Sequence, residues 1–217
     1  GKGKANTFES SDFTINGESK MEVRTLDRQK VVMKVAMPCL GYMDIKNSFL
    51  FSRVLSYASG LKGPLFNHFR ENKQLVYSVR LNRWCNKKDG LIIFDIETSP
   101  DKVNDCFYAI RDFIQEIKQG ISEKQIKRLN EKLDESEDRF VGHPADYCSD
   151  CLFDYIDRKE FIKDRVYKKL KKQITKENLD KQIADNFNWD KIFISIVGPV
   201  NKKDVMSLSK ITKILRP

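Results

Sequence analysis

The chain has 217 residues, 40% of them hydrophobic, enough to bury the core of one sizeable domain. Forty Lys and Arg against 31 Asp and Glu give a net charge of +9, but the lysines are scattered among acidic residues, which reads as solvated helix faces rather than a nucleic-acid surface. No apolar run approaches the roughly 20 residues of a membrane span, and no signal peptide is visible in the polar Gly-Lys-Gly-Lys start.

Residues 1–11 read as a linker or tag-proximal segment, and 12–28 is polar with hints of extension at 21–25. Residues 29–38 predict a strand, with Val31, Met33, Val35 and Met37 on one face and Val32, Lys34 and Ala36 on the other. The chain is expected to turn over 38–42. Asp44 is placed to cap a helix, with Asn47 standing where a capping box has glutamate. Phe49, Leu50, Val54, Leu55 and Tyr57 carry that helix, which closes near Gly60.

Residues 60–78 read as a glycine-flanked loop, a short helix opened by Pro64, a tight turn and the start of a strand. Leu65, Phe66 and Phe69 form the apolar side of that helix. Arg70 falls at its end and Tyr77 near the strand start, so two elements joined by one turn deliver a guanidinium fork and a phenol. Such a pair can hold a carbonyl or an oxyanion. The plainer alternative makes Arg70 a helix C-terminal cap and Tyr77 an ordinary strand aromatic.

The strand continues over 76–84, with Tyr77, Val79 and Leu81 alternating with Ser78, Arg80 and Asn82. Residues 86–90 form a hairpin loop containing the turn-favouring Asp89-Gly90. The next strand, 91–98, puts Ile92, Phe94 and Ile96 inward; Asp95 and Glu97 share the wetter face, where solvated charges opposite basic neighbours account for them. Ser99 and Pro100 open a helix with Asp101 in its first turn and the stripe Val103, Phe107, Ile110, Ile114 and Ile117, ended by Gly120. Ser122 and Gln125 form a capping box for a helix lined by Ile126, Leu129, Leu133 and Phe140. After the break at Gly142-His143-Pro144, residues 145–157 read as a helix with Tyr147, Phe153 and Tyr155, and the lysine-rich run 163–172 as a solvated helix face. Thr175 caps a helix with Leu179, Ile183 and Phe187. The short apolar run 192–197 suits a central strand, and 201–215 forms a last amphipathic helix through Val205, Leu208, Ile211 and Leu215. Strand pairs separated by blocks of amphipathic helices predict an α+β fold: a mostly antiparallel sheet with helices packed on one face, in a single domain over 1–217.

A zinc peptidase needs at least three protein ligands and a carboxylate base. The chain has two histidines, His68 and His143, in separate segments, neither in an H-x-x-E-H; His68 reads as a packing residue and His143 as a turn residue. No phosphate-binding loop and no G-x-S-x-G elbow is present. Five cysteines, an odd number without a secretion signal, imply free thiols and a reducing, cytoplasmic compartment. Cys148-Ser-Asp-Cys151 lacks the second pair of a zinc ribbon and the context of a thioredoxin-like site, so it reads as two residues on one helix face.

Residues 60–78 resemble the "G…(S/P)-R-L-F…L-R-E…G-L-x-Y-S" segment of the insulinase/pitrilysin zinc metallopeptidase family, which includes the mitochondrial processing peptidases. The likeness is strongest over 58–78 and extends to most of the chain through element order. Gln74 stands where the family often has glycine, and Pro64-Leu65 replaces the commoner Ser-Arg-Leu. One half of such enzymes carries the inverted zinc motif H-x-x-E-H; the other lacks the metal and supplies an arginine and a tyrosine seven positions apart, which Arg70 and Tyr77 match. The resemblance implies that this chain is the non-zinc-binding half of a zinc endopeptidase, inactive by itself. It would close the peptide-binding chamber and supply Arg70 and Tyr77 for substrate binding and catalysis. Zinc would be held by the other half, in the same parent chain or in a separate subunit of a homo- or heterodimer. The implied partners are that half and a peptide substrate, with no nucleic acid and no membrane. The strand over 76–84, or its neighbour, could take an extended peptide by edge addition. The alternative is a catalytically inactive scaffold or partner subunit of the same fold, as in respiratory-complex core subunits. Lys-, Asn- and Ile-rich usage suggests an AT-rich, bacterial genome.

Overall fold

Period-two apolar runs build the sheet. The computed structural model describes residues 17–60, 63–142, 144–158, 162 and 164–216; residues 1–11, His143, and the side chains of Phe140, Tyr147 and Phe153 lie outside what is described. Among the described residues, strands β1 (Lys20–Thr25), β2 (Val31–Leu40), β3 (Val76–Cys85), β4 (Asp89–Thr98) and β5 (Phe193–Gly198) form one sheet. Its order is β1-β5-β2-β4-β3. β1 runs parallel to β5 and every other pairing is antiparallel. β2 sends Val31, Met33, Val35 and Met37 inward, all fully buried, beside Ile92, Phe94 and Ile96 of β4. The opposite face keeps Lys34, Arg80, Asn82 and Trp84 exposed.

Helices with apolar stripes at helical spacing cover the inward face. α1 (Ile45–Ser59) buries Leu50, Phe51, Val54 and Ala58, and Asp44 caps it by accepting from the Asn47 N–H at 3.0 Å. α3 (Val103–Lys118) buries the predicted stripe plus Cys106, Ala109 and Phe113. α4 (Glu123–Gly142) opens on the predicted box, with Gln125 Oε1 accepting from the Ser122 N–H at 2.9 Å. α5 (Pro144–Arg158) and α6 (Asp164–Lys171) follow. In α6, Leu170 is buried while Lys168 and Lys169 are exposed, as the solvated-face reading expects. α7 (Lys176–Asn186) starts from Thr175, and Leu179 and Ile183 are buried.

Several boundaries differ from the sequence reading. β2 runs past Pro38, which pairs with Leu91, because β5 leaves β2 at Ala36 and an edge position tolerates a missing N–H. The chain instead turns at Gly41, where a Cβ would collide with the backbone of 86–88. The N–H groups of Gly41, Tyr42 and Met43 bond to the carbonyls of Lys88, Asn86 and Lys87 at 2.9–3.0 Å. Asp89 and Gly90 belong to the β4 ladder, not to the loop, since Asn86 Oδ1 turns the chain by accepting from the N–H groups of Lys88 and Asp89. Pro100 opens a 3-10 turn (Pro100–Lys102) ahead of α3, and Ser99 makes no side-chain cap. The C-terminal amphipathic stretch is split into a 3-10 turn (Lys202–Asp204) and α8 (Leu208–Leu215), because Ser207 starts a new cap. β5 has β1 and β2 on its two sides, the interior position expected for its apolar run.

The 63–78 stretch is held tightly. α2 (Pro64–Phe66) continues into a π-helical turn (Asn67–Asn72) rather than a plain helix end, with Leu65 and Phe69 buried. Gln74 has φ 50°, the one non-glycine residue with positive φ among the described residues. This is why a glycine suits that position. The flanking backbone is anchored: Leu75 N–H donates to the Phe69 carbonyl at 3.0 Å, Thr98 Oγ1 donates to the Leu75 carbonyl at 2.6 Å, and Lys102 Nζ donates to the Gln74 carbonyl at 3.0 Å.

Two outcomes are expected. Gln74→Gly should raise stability by about 0.5–1 kcal/mol by relieving the left-handed conformation, seen as a Tm increase of roughly 2 °C; an unchanged or lower Tm would show that the turn is not strained. Thr98→Val should cost about 1–2 kcal/mol in urea unfolding, since it removes the hydrogen bond to the part-buried Leu75 carbonyl; a cost near zero would show that this bond does not anchor the turn.

Candidate functional site

Arg70 lies in the π-helical turn, exposed to solvent. Its Cζ sits 5.4 Å from the centre of the Phe66 ring. Among the described residues its guanidinium makes no ion pair or hydrogen bond, so it does not cap the carbonyls at the end of the turn as the plainer alternative required. Neighbouring side chains do the anchoring instead. Lys73 Nζ lies 2.5 Å from Asp112 Oδ2 on α3, and His68 Nδ1 lies 3.0 Å from Glu116 Oε2, also on α3. Burial pushes the Asp112 carboxyl up, but hydrogen bonds from Lys73 and Arg111 outweigh it and hold the group below its ordinary value.

Tyr77 does not share the face of Val79 and Leu81, as strict alternation predicts. Val76 pairs with Thr98 and Ser78 with Glu97, so Tyr77 is the extra residue of a β-bulge. Its side chain is 51% exposed and lies under Lys30, whose Nζ is 4.9 Å from the ring centre. The signal was present in the apolar spacing: Val76, Val79 and Leu81 are three and then two apart, a break that one inserted residue produces.

The structure therefore puts Arg70 and Tyr77 on either side of one anchored turn, both exposed, with Arg70 in the helical arm and Tyr77 in the strand arm. The sequence reading missed Lys30 and the groove beside it. This open groove, of about 780 Å³, is lined by Leu26, Arg28, Lys30, Val32, Glu97 and Val197. Lys30 reaches Glu97 at 3.5 Å and Lys34 reaches Asp95 at 3.1 Å, so the two β4 carboxylates face basic neighbours as expected.

Among the described residues no group of three or more His, Cys, Asp or Glu could hold a metal ion. His68 packs against Phe69 and Phe113, with ring centres 5.7 and 6.2 Å away, as a packing histidine would. The described residues thus do not fit a catalytic zinc. Cys148 and Cys151 lie on α5, the first exposed and the second half-buried. No described helix is long and apolar enough to cross a membrane.

The family model for the peptidase M16 inactive domain matches residues 6–133. No curated protein matches the chain. Among solved structures, the peptidase M16 inactive domain from Pseudomonas fluorescens is similar at 15% identity and TM-score 0.72, covering 84% of this chain and 44% of that one. The periplasmic protease PqqL from Escherichia coli is similar at 13% identity and TM-score 0.74, covering 84% of this chain and 21% of that one. A chain of complex III2 from Candida albicans is similar at 13% identity and TM-score 0.72, covering 92% of this chain and 50% of that one. At such identities the likeness is one of fold, and the chain spans half or less of the length of each of these proteins. With the α+β architecture and the matched segment in agreement, the chain belongs to the peptidase M16 (insulinase/pitrilysin) family as its inactive, C-terminal-type half.

Proposed function

We propose that this chain is the metal-free half of an M16 zinc endopeptidase, that it closes the peptide-binding chamber, and that it supplies Arg70 and Tyr77 to the active site. The observation that carries the reading is the bulge at Tyr77, which turns a strand aromatic out of the core face and leaves its phenol exposed beside an anchored turn. A second half bearing H-x-x-E-H holds the zinc, either in the same parent chain or as a separate subunit of a homo- or heterodimer. A peptide is the other partner. Free thiols at all five cysteines suit a reducing, cytoplasmic setting.

Arg70, with no competing polar partner among the described residues, holds a carbonyl or carboxylate of the peptide with its planar fork. Tyr77 donates its phenolic proton in a hydrogen bond to the oxyanion that develops on the scissile carbonyl. One such donor is worth about 3 kcal/mol, roughly two orders of magnitude in rate. β3 is an edge strand of the sheet, so its outer backbone groups offer an extended peptide a place to add. The similarity to a complex III chain favours a second reading, a scaffold of the same fold.

Cleavage of a quenched fluorescent peptide library by the full parent assembly separates these readings. Tyr77→Phe should lower kcat tenfold or more with KM nearly unchanged; an unaffected kcat would remove Tyr77 from the reaction. Arg70→Lys should raise KM with kcat largely retained, because the bidentate fork is lost while the charge stays; unchanged KM would sink the binding role. An assembly with no H-x-x-E-H half and no cleavage of any peptide would favour the scaffold.

A further inference from the structure

The opposite end of β3 brings together two cysteines that the peptidase reading does not use. Cys39 on β2 and Cys85 on β3 both pair with the same residue of the strand between them, Gly90 of β4. A Cβ on Gly90 would lie 2.9 Å from Cys39 Sγ and 2.9 Å from Cys85 Cβ. Cys39 Sγ and Cys85 Cβ therefore lie less than twice that distance apart, around the space that a glycine leaves and that the Leu40 carbonyl oxygen, 2.8 Å from the same point, also borders. Both are half-buried free thiols at the mouth of the core.

A disulfide does not fit here. Neighbouring strands lie about 4.8 Å apart, so α-carbons two strands apart are separated by roughly 9.5 Å, beyond the ~7 Å that a disulfide spans. An ion held between two sulfurs bridges a wider gap, since two metal–sulfur bonds of about 2.3 Å separate the sulfurs by about 4.6 Å. Charge narrows the choice of ion. Arg83 is clamped in place, with Nη2 donating to the Leu40 and Gly41 carbonyls at 2.7 and 2.9 Å and Nη1 to Ser48 Oγ at 3.1 Å. The Cys39 thiol itself donates to the Leu40 carbonyl at 3.6 Å, the nearby guanidinium favours its ionised form, and Arg83 Nε is buried with no hydrogen-bond partner among the described residues. Two thiolates around a monovalent cation carry one net negative charge, which this fixed guanidinium offsets, while the Asp89 carboxylate and the Cys85 sulfur oppose the Cys39 thiolate until a cation is bound between them. A divalent ion wanting four ligands finds no third His, Cys, Asp or Glu grouped with the two thiols so as to hold it, among the described residues.

We propose that Cys39 and Cys85 form a two-coordinate site for a soft monovalent cation, of which copper(I) is the member that thiolate pairs select. Binding forms two metal–sulfur bonds, releases one proton from each thiol to solvent and changes no oxidation state. Without the ion, burial pushes the Cys39 thiol up to about 11, so it stays protonated and inert at neutral pH. The site is independent of the peptidase reading.

The competing thiols are Cys148 and Cys151, so the test starts from the full chain carrying Cys148→Ser and Cys151→Ser. Titrated without oxygen against a copper(I) chelator, this variant should take up one ion per chain. Adding Cys39→Ser or Cys85→Ser should weaken binding by more than the tenfold to hundredfold that losing an outer-shell partner costs. X-ray absorption of the loaded double variant, which needs no change at either proposed ligand, should count two sulfur neighbours and no nitrogen. No uptake by the double variant, uptake indifferent to both cysteines, or a coordination shell other than two sulfurs would overturn the proposal.

Discussion

Phe113 of α3 is the contact on which the arrangement of this molecule rests. Its ring centre lies 5.8 Å from Phe94 of β4, 6.3 Å from Phe69 of the π-helical turn and 6.2 Å from His68, each pair tilted edge to face. Each such aromatic pair adds about 0.5–1.5 kcal/mol beyond the area it buries. Helix, sheet and signature segment thus meet at one side chain. Arg70 directly follows Phe69, so its position is set by a ring that is fully buried. The same helix supplies Asp112 and Glu116 to hold Lys73 and His68, which makes α3 the support for the candidate site.

On this support sits a strained connection. The left-handed Gln74 and the bulge at Tyr77 lie within four residues of each other, and the backbone between them is pinned by Thr98 and Lys102. A left-handed non-glycine residue persists only when its surroundings over-determine it, and here three hydrogen bonds from separate elements do so. The turn directs the chain out of the helical arm, and the bulge then redirects one side chain from the core face to the open face. Rigid backbone behind two exposed polar side chains is what a binding corner requires, because residues fixed before a ligand arrives lose less entropy when it binds.

β3 carries unlike chemistry at its two ends. The strand spans ten residues from Val76 to Cys85, roughly 30 Å of extended chain. One end presents a guanidinium and a phenol beside a bulge; the other presents two thiols over Gly90 with a clamped arginine. Both depend on an irregularity of the ladder, an inserted residue in one case and a missing side chain in the other. The middle of the strand, Val79 and Leu81 against Ile96 and Phe94, does ordinary core packing.

The sequence alone determined the elements whose signals are local. Alternation in β2 and β4, the helical stripe of α3, the Asp44, Ser122 and Thr175 caps and the interior character of β5 were all legible, since hydrophobic period and capping chemistry act over a few neighbouring residues. The candidate pair Arg70 and Tyr77 was legible by resemblance, and the departure at Gln74 already marked a position that wanted glycine. Tertiary structure decided the rest. Pro38 stays in its strand because β5 departs before it, Asp89-Gly90 joins the ladder because Asn86 turns the chain first, and Tyr77 faces outward because β4 offers one residue where β3 has two. The convergence of Cys39 and Cys85, 46 positions apart in the chain, exists only because both strands register on Gly90. Pairing register between distant segments is set by the packing of whole faces, and no local pattern in a single strand encodes which residue will stand opposite.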